Sequence, residues 1–579
     1  MGGKGTMAAR YLVSPRGGRR AYPDITSALR AAEARGRAAL IEIAPGHYEE
    51  ALTVRGEIRL AAAEGPGSVL VSRPRGAVLD AFGAVSVHGL TLAGRDAAVD
   101  IVGCHTGTLT LDRTEIRAHD GVAVHGRPHT SVTLRDSVVL YGRTVFTGSA
   151  GLVERCRFTD AANNAIAAIE GARVTVRGSR IEGSRIHGLR VCGAHAEIVG
   201  CEVTGTGQAA VVADTRGELA VTECAISAVH AEGILFIEQS RGSVDRTTVT
   251  DALHGIVTKS GAGPVVRGSV FADCRDTGIN VQDAGLGTFE HCRVTHARNV
   301  AVFSTKGGAP EVRDCLVSGG NVGIAVTDGG RGRFTRVVVE DLAGTALRVY
   351  DEGSAVFADV RVERCPAGLE ARGNGGTTAE VTGAVFRDIS LGAVAIDGQS
   401  RATLRNVTAE HGVMGFAVSG EAMLQVTDCD VTGVSGGGFA ALGSGRLVAR
   451  NITVTGSEGL GAFGTGSAYV DITDGTFTDC AVAASFDEKA AGRLVDCAVN
   501  GTGGVAVQHN GLVDLVSLRT SLPVVRHKEK PAAPPQIVQV LNNPVFNGPV
   551  FNGPVHDVQL AWNNGHVVQQ QTEGDGTHP

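Results

Sequence analysis

A short motif recurs along most of this chain of 579 residues: a glycine, an apolar residue, any residue and a second apolar residue. Clear copies begin at Gly121, Gly188, Gly233, Gly255, Gly278, Gly323, Gly368, Gly392, Gly415, Gly438, Gly459 and Gly504, and degenerate copies lie at Thr144, Ala165, Ala210, Val300, Thr345 and Ala481. Successive copies are 21 to 24 residues apart, most often 22 or 23. A period of this length indicates a stack of similar units, each of which buries its apolar face only against its neighbours.

Each unit contains further short stretches in which apolar and polar residues alternate. One follows the motif by about ten residues, as in the segment that begins at Arg173, and another comes directly after it, as in the segment that begins at Cys201. Alternation over three to five residues is typical of short β-strands, and the intervening glycines suit turns with positive φ. Helical periodicity is absent, which excludes leucine-rich and helical repeats. The pattern therefore predicts an all-β fold, a single-stranded parallel β-helix of 22–23-residue coils.

The first 60 residues are predicted to form an N-terminal cap, with a helix at 24–35 and the first strands, and residues 61–522 the β-helix. One face of the helix is apolar and would cover the open end of the solenoid, which blocks pairing at that edge. Asp24 is the predicted N-cap and Gly36 the predicted C-cap. The residues of the apolar face are Ile25, Ala28, Leu29 and Ala32.

The repeating units have the form Val-x-x-Cys-x-Val followed by Gly-Ile-x-Val, from about residue 76 to residue 520. They resemble the right-handed parallel β-helix repeats of the pectin-lyase-like superfamily, and the segment from Tyr22 to Glu50 resembles its opening. The resemblance implies a right-handed coil, and enzymes of this superfamily act on polysaccharides with carboxylates, His, Lys or Arg presented by neighbouring coils. The motifs of polygalacturonases, pectin methylesterases and alginate epimerases are absent, although Gly46-His-Tyr-Glu is similar to a pectin methylesterase segment.

Charge and hydropathy exclude several classes of partner. The formal net charge is −7 at pH 7, and the 53 Lys and Arg residues are scattered, whereas nucleic-acid binding needs a concentrated basic face. No apolar run approaches the roughly 18–20 residues of a membrane span, and no secretory signal is visible. We therefore expect a cytoplasmic protein with no membrane or nucleic-acid partner and no cofactor.

The 12 cysteines are spaced for internal columns. No Cys-x-x-Cys pair occurs, so no metal site is expected. We expect free, buried thiols that behave as small apolar residues, with a disulfide between Cys201 and Cys224 or between Cys292 and Cys315 as the alternative. The first predicted column is Cys156, Cys201, Cys224, Cys292, Cys315, Cys429 and Cys497, and the second is Cys274, Cys365 and Cys480.

One surface strip beside the motif is rich in residues of catalytic type. Stacked coils would bring these residues together over about five rungs, where a carbohydrate or a peptide could bind along the coils. The alternative is an ordinary polar loop surface. The candidates for catalysis are His230, His254, Lys259 and Asp276, and those for ligand binding are His187, Glu232, Glu238, Asp251, Asn280, Gln282 and Asp283.

The C-terminal end has a different composition. A charged, proline-rich linker is predicted over residues 523–535, and the tail that follows, 536–579, is rich in Asn, Gln, Val and Gly. Two short cores in the tail, with Asn pairs close behind them, resemble the RIP-homotypic-interaction motif and related bacterial amyloid signalling motifs. The resemblance implies assembly with other copies or with a protein partner; a flexible tail and an end cap are the alternatives. The residues concerned are Val538, Gln539, Val540, Val558, Gln559, Leu560, Asn563 and Asn564.

Two functional hypotheses follow. The first is a non-catalytic intracellular scaffold or sensor, which binds a ligand or protein along the solenoid and assembles through its tail. The second is a polysaccharide-active lyase, hydrolase or esterase. The missing secretion signal and missing family motifs favour the scaffold, whereas the polar strip favours the enzyme.

The tail hypothesis predicts that a synthetic peptide of residues 536–571 forms fibrils. Alternate valines could pack in a dry zipper on one sheet face while Gln539 and Gln559 form hydrogen-bonded ladders on the other, and almost no charge opposes stacking. We expect thioflavin-positive fibrils with a reflection at about 4.7 Å, suppressed by Gln559→Pro. A peptide that stays monomeric, together with destabilisation of the last coils on tail deletion, would identify an end cap instead.

Overall fold

The computed structural model describes residues 8–17, 20–487, 489–501 and 505–526, and the short segments 561–563 and 566–568. In the first of two compact units, Met1–Pro531, 57 strands form one continuous sheet. Each strand pairs in parallel with its counterpart in the next coil; Arg173–Arg177, for example, pairs with His195–Val199. About 21 such turns make a parallel β-solenoid. The predicted all-β solenoid is confirmed.

The strands fall into three series, one on each side of the coil. The strands that carry the repeated motif, here called anchor strands, are Val122–Gly126, Arg143–Thr147, Ile166–Ile169, Leu189–Cys192, Val211–Asp214, Thr277–Val281, Val300–Ser304, Val322–Val326, Thr345–Tyr350, Ala367–Gly373, Leu460–Gly464, Val482–Phe486, Val505–His509 and Val524–Arg526. The middle strands are Ser131–Arg135, Ala150–Glu154, Arg173–Arg177, His195–Val199, Glu218–Thr222, Arg241–Asp245, Val265–Arg267, Leu286–Glu290, Ala309–Arg313, Arg331–Thr335, Ser354–Ala358, Thr378–Thr382, Arg401–Arg405, Ala491–Val495 and Val513–Val516. The short strands are Glu115–Arg117, Val138–Leu140, Arg157–Thr159, Arg180–Glu182, Glu202–Thr204, Val270–Ala272, Arg293–Thr295, Leu316–Ser318, Val338–Glu340, Arg361–Glu363, Ala498–Asn500 and Arg519–Thr520.

Seven longer strands continue through a turn and serve two or three series: Ala225–Phe236, Thr248–Thr258, Val385–Gly398, Thr408–Val418, Met423–Ala441, Arg446–Thr455 and Tyr469–Thr478. The first coils are built by Ala9–Val13, Ala21–Tyr22, Ala39–Ile43, Gly46–Glu49, Leu52–Ala62, Val69–Arg73, Leu79–His88, Leu90–Gly94 and Asp100–Asp112.

A helix, Ile25–Glu33, packs on the first strands. Asp24 is its N-cap, as predicted, because the Ser27 N–H donates to Asp24 Oδ1 at 2.6 Å. The Glu50 carboxylate also accepts hydrogen bonds from the first backbone N–H groups of the helix, at 3.0 and 2.8 Å. Two carboxylates thus satisfy donors that a helix N-terminus leaves unpaired.

The far end of the helix differs slightly from the prediction. The C-cap is Ala34, and Gly36, the predicted C-cap, lies two residues further on with a φ of +58°. The predicted apolar face is buried, so its packing against the first coils is confirmed. Its residues are Ile25, Ala28, Leu29 and Ala32.

The core consists of inward-facing side chains that repeat at the same position of successive coils. Aromatic rings meet their counterparts one coil away: the ring centroids of Phe334 and Phe357 are 5.1 Å apart, and those of Phe416 and Phe439 are 5.3 Å apart. The core therefore extends along one axis with the number of coils, and each coil is stabilised mainly by its two neighbours.

One interior column, just before the short strands, is polar. Its members, here called the hydroxyl–thiol column, are Thr114, Ser137, Cys156, Ser179, Cys201, Cys224, Thr247, Ser269, Cys292 and Cys315. The side chains of six members, Ser137, Ser179, Cys201, Thr247, Ser269 and Cys315, accept a hydrogen bond from a backbone N–H of the preceding coil. The Cys156 N–H donates to Ser179 Oγ at 3.0 Å, and the Thr247 N–H donates to Ser269 Oγ at 3.2 Å.

The prediction that the column cysteines pack as small buried apolar residues is confirmed, and their thiols also make hydrogen bonds that the spacing did not predict. Cys315 Sγ accepts the Cys292 N–H at 3.3 Å and donates to the Arg313 carbonyl oxygen at 3.1 Å. Thiol and hydroxyl groups can occupy the same position in this column because either can satisfy a buried backbone group at the turn.

The predictions of free thiols and of two cysteine columns are confirmed. All 12 cysteines are free, and ten of them are buried; Cys480 in the second column is half-buried, as is Cys192. Burial raises the pKa of Cys156 and of Cys429 to about 11. Thiols with such pKa values stay protonated at neutral pH and react slowly.

Replacement of a column hydroxyl should destabilise the solenoid. Ser269→Ala leaves the buried Thr247 N–H without an acceptor, so we expect the free energy of unfolding to fall by about 1–3 kcal/mol in urea titrations. Ser269→Cys should retain most of that stability, because cysteine occupies the same position in other coils. Ser243→Ala is the control, since the Ser243 hydroxyl makes no hydrogen bond to the described residues. Equal losses in both alanine variants would contradict the role of the column.

The last described strand of the first unit, Val524–Arg526, pairs with Val505–His509 and so lies just inside the predicted linker. In the second unit, Ala532–Pro579, Ala561–Asn563 pairs antiparallel with His566–Val568. The predicted assembly residue Asn563 is part of this pair. The others lie outside the described residues, and their role stays a prediction: Val538, Gln539, Val540, Val558, Gln559, Leu560 and Asn564.

Candidate functional site

The candidate site lies on the outward side of the anchor strands, here called the anchor face. Side chains alternate along a strand, so Ile234 and Phe236 point into the core and Leu235 points outward. Leu235 is nevertheless only 8% exposed, and Val212 and Val257 beside it in the adjacent coils are 2% and 1% exposed. Outward side chains buried to this extent indicate a recessed surface. Its central column includes Val145, Ala167, Arg190, Val212, Leu235, Val257, Asn280, Phe303, Ala325, Arg348 and Glu370.

Four of the predicted site residues lie on this face together with Thr277, which was not predicted, in a group that we call the central polar cluster: Glu232, His254, Lys259, Asp276 and Thr277. Glu232 is the β-ladder partner of His254, and Thr277 is its partner one coil later. The Nδ1 atom of His254 lies 2.7 Å from Thr277 Oγ1 and 3.6 Å from Asp276 Oδ2. The ring is thus oriented by two side chains and has its second nitrogen, Nε2, left for another partner.

The electrostatics of the cluster keep the imidazole uncharged. Burial lowers the pKa of His254 below its ordinary value, Lys259 lowers this pKa further, and Asp276 and Glu232 only partly oppose the shift. At neutral pH the His254 ring is therefore in the form that can accept a proton.

The cluster also contains one positively charged residue, Lys259. It is half-buried on the anchor face, and in the described ranges no carboxylate pairs with it. Gln282 occupies the equivalent position one coil later. Nearby, Asn280 is 1% exposed, and its Oδ1 atom has no hydrogen-bond partner within the described chain. These polar groups lie on the same recessed surface as the central polar cluster.

His187 also lies on the anchor face, towards the N-terminus. Its Nδ1 atom is 3.2 Å from the Ala209 carbonyl oxygen. Burial lowers the pKa of His187, while Glu232 opposes the shift, which places the two side chains in the same electrostatic environment.

The remaining predicted residues are not part of the cluster. His230 is exposed and its Nδ1 contacts the Thr206 carbonyl oxygen at 3.1 Å, and Asp251 pairs with Arg275 at 3.6 Å on the flank of the solenoid. Glu238 and Asp283 occupy exposed turns after the anchor strands, with φ of +54° and +49°. The residues of the strip predicted from the sequence therefore lie on two surfaces, the anchor face and the exposed turns and flank beside it. Only those on the anchor face lie close together.

An ion pair that was not predicted borders the cluster. Arg190 Nε donates to Asp214 Oδ2 at 2.7 Å, and Asp214 is only 5% exposed. Next to this pair, Thr215 Oγ1 donates to Glu238 at 2.9 Å. These contacts fix the wall of the anchor face just before the central polar cluster.

A second buried charged residue, Glu370, was also not predicted from the sequence. Glu370 is 4% exposed; Tyr350 Oη donates to its Oε2 at 2.9 Å, and Arg348 Nε is 3.6 Å from the same oxygen. Burial raises the pKa of Glu370 above its ordinary value although Arg348 and Tyr350 lower it. Glu370 Oε1 and Arg348 Nε have no hydrogen-bond partner in the part of the chain that the structure describes.

A third group lies nearer the N-terminus and comes from three consecutive coils. Asp100 Oδ2 is 2.8 Å from His125 Nδ1, and His125 Nε2 is 3.0 Å from Thr147 Oγ1. Arg127 Nη2 donates to Asp100 Oδ2 at 2.7 Å. No sequence argument had singled out any of these residues.

A pattern in the sequence could have identified some of the anchor-face residues that the sequence analysis did not predict. Arg190, Asn280 and Glu370 each occupy the third position of a glycine–apolar–x–apolar motif. That position faces outward on every anchor strand, so charged or amide side chains there mark the anchor face. Among the described residues, no group of three or more His, Cys, Asp or Glu side chains is arranged to hold a metal ion, and no helix could span a membrane.

A family model described as the right handed beta helix region matches residues 209–365 and 367–515, which together exceed half of the chain. The chain belongs to the right-handed β-helix family. No curated protein matches its sequence.

Several solved structures are similar to this β-helix protein. The A-module of the mannuronan C-5 epimerase AlgE4 from Azotobacter vinelandii aligns with 14% identity over 63% of this chain and 91% of its own, with a TM-score of 0.27. The PL6 family alginate lyase AlyGC aligns with 10% identity over 90% of this chain and 100% of its own, with a TM-score of 0.23. The catalytic domain of a GH87 alpha-1,3-glucanase aligns with 11% identity over 91% of this chain and 69% of its own, with a TM-score of 0.17.

Glu370→Gln should remove a pH-dependent loss of stability. Because the pKa of Glu370 is raised on folding, its contribution is fully present below the ordinary value of 4.5 and is lost as the pH rises through the pKa of the folded state. Between about pH 4 and pH 8, the free energy of unfolding should therefore fall more steeply with pH in the wild type than in Glu370→Gln. The exposed Glu380→Gln serves as control and should follow the wild type. Parallel curves for all three proteins would exclude a raised pKa at Glu370.

Proposed function

We propose that the protein is a polysaccharide-active enzyme of the lyase type, which binds an anionic polysaccharide along the anchor face and removes a proton from it at His254. The observation that carries this proposal is a neutral, oriented imidazole on the same recessed face as a lysine that pairs with no carboxylate among the described residues. The enzyme hypothesis thus has support from the described residues, whereas the scaffold hypothesis depends on the tail.

The shape and charge of the anchor face favour a long anionic ligand. The face runs along the coils, and polar groups border a closely packed central column in which Val257 and Phe303 are buried. Lys259 has no carboxylate partner among the described residues, so its ammonium group is available to pair with the anionic group of a ligand. The carboxylate of a uronic acid residue in a polysaccharide is such a group.

Proton abstraction explains why a cation and a neutral base share the face. The carbon-bound proton next to a uronate carboxylate, at C5, becomes more acidic when a cation neutralises that carboxylate, as Lys259 would. Neutral His254 can then take this proton through Nε2 while Thr277 and Asp276 hold the ring from the Nδ1 side.

The elimination is balanced without a further reactant. The electron pair of the C5–H bond forms the C4–C5 double bond, and the bond from C4 to the glycosidic oxygen breaks. The protonated His254 returns its proton to the leaving oxygen. The products are an unsaturated uronate end and a free hydroxyl end, with the base restored.

The proposal predicts cleavage of polyuronates such as polygalacturonate or alginate, measured by the absorbance of the unsaturated product. His254→Gln should lower the rate by about 100-fold or more, the usual contribution of a general base. Lys259→Ala should weaken binding and lower the rate. Because the pKa of His254 is lowered, the wild-type rate should persist to a pH below the ordinary histidine pKa, about 6.5, before the base becomes protonated.

Two matched controls test whether the site is specific. His411 has the same 3.6 Å separation from a carboxylate, that of Asp388, but its side chain is 65% exposed, so His411→Gln should leave the rate unchanged. Lys306 is an exposed turn lysine, and Lys306→Ala should also have no effect. A folded wild type that cleaves no polyuronate, or an active His254→Gln, would overturn the proposal.

A further inference from the structure

Three side chains from consecutive coils near the N-terminal end form a hydrogen-bonded relay. Asp100 Oδ2, His125 Nδ1, His125 Nε2 and Thr147 Oγ1 follow one another at 2.8 and 3.0 Å. A carboxylate that holds one ring nitrogen leaves the other to accept the proton of a hydroxyl group. This is the arrangement by which a histidine activates an alcohol side chain as a nucleophile.

We propose that Asp100, His125 and Thr147 form an ester-hydrolysing site, with Thr147 as nucleophile and a small carboxylic ester as substrate. This site is separate from the central polar cluster: by register, Thr147 and Lys259 occupy the same coil position five coils apart, or about 24 Å at 4.8 Å per coil. The proposal does not rest on the lyase function.

The surroundings of Thr147 suit a small acyl group. In the next coil along the anchor face, Ile169 is the β-ladder partner of Thr147 and Ala167 that of Val145. Val145 and Ala167 are 8% and 7% exposed, and Ile169 is half-buried. The surface beside the hydroxyl is therefore apolar and small, which fits an acetyl-sized substituent better than a sugar ring.

A guanidinium group lies at the Asp100 end of the relay. Arg127 Nη2 and His125 Nδ1 contact the same oxygen, Asp100 Oδ2, at 2.7 and 2.8 Å, so the guanidinium lies alongside the relay. By register, Arg127 is also the rung neighbour of Thr147, because Gly126 pairs with Phe146. Its side chain is 44% exposed, so a bound ester could reach it. A guanidinium next to the nucleophile stabilises the oxyanion of a tetrahedral intermediate.

The reaction needs only the ester and water. Thr147 Oγ1 attacks the ester carbonyl carbon as its proton passes to His125 Nε2, and the carbon–oxygen bond to the leaving alcohol breaks as that alcohol takes the proton. Water then attacks the acyl-threonine, again giving its proton to His125, and Thr147 Oγ1 recovers it as the carboxylic acid leaves. The site is unchanged at the end.

A comparison within the chain separates this relay from ordinary histidine–carboxylate pairs. His88 Nδ1 is also 2.8 Å from a carboxylate oxygen, Asp112 Oδ2, and its side chain is 26% exposed against 17% for His125. Within the described ranges, however, no hydroxyl group contacts His88 Nε2. The pair His88–Asp112 therefore offers a control with the same carboxylate contact and no nucleophile.

The full-length protein should hydrolyse p-nitrophenyl acetate, and a fluorophosphonate probe should modify Thr147, located by mass spectrometry of peptides. Thr147→Ala should abolish both signals, and His125→Gln should lower them at least about 100-fold, as expected for loss of the general base. Thr147→Ser should retain both signals, which shows that the site still folds. Asp100→Asn should lower the rate with little change in KM.

His88→Gln should leave hydrolysis and labelling unchanged, and His254→Gln should do the same, whereas His125→Gln should leave any polyuronate cleavage intact. These pairs of variants distinguish failure of this site from failure of the lyase function. Hydrolysis that is equal in wild type and His125→Gln, or a probe adduct on a residue other than Thr147, would overturn the proposal.

Discussion

The parallel hydrogen bonding between successive coils is the constraint on which the rest of this structure depends. Each strand is held in register with its counterpart one coil away, so a position in the sequence repeat becomes a column of side chains about 4.8 Å apart. A side chain therefore has to be compatible with the residues directly above and below it. The stacked Phe rings, the hydroxyl–thiol column and the anchor face all meet this requirement. They differ in the kind of contact that neighbouring coils make: ring packing, hydrogen bonds to the backbone, or mixed polar and apolar contacts.

Burial, rather than pairing, distinguishes the proposed catalytic groups from the polar surface. His254 and His411 both lie 3.6 Å from a carboxylate, yet their side chains are 15% and 65% exposed. Burial of His254 lowers its pKa because the imidazolium form loses hydration there. The same holds for Glu370, whose pKa is raised although a cation and a phenol are close to it. Burial on the recessed anchor face is what shifts the pKa values of these otherwise common polar residues.

The sequence predicted the solenoid well because the coil is a local pattern, repeated many times. It also predicted that His254 and Asp276 would meet, since both precede neighbouring copies of the motif. It could not predict the Tyr350–Glu370 contact or the Asp100–His125–Thr147 relay, because these depend on which way side chains bend between coils 20 to 25 residues apart. The hydrogen bonds of the column cysteines could not be predicted for a related reason: spacing places Cys315 in the core but does not show that the Cys292 N–H lies within reach of its sulfur.

The uniform coil has a consequence for how such a protein can change. Distances along the anchor face come only in multiples of one rung, about 4.8 Å. Duplication or loss of a whole coil between Thr147 and His254 would move the two proposed sites apart or together by one such step, with each relay of hydrogen bonds left whole. Selection could thus adjust the spacing between the two proposed sites in fixed increments, with no change to the residues of either site.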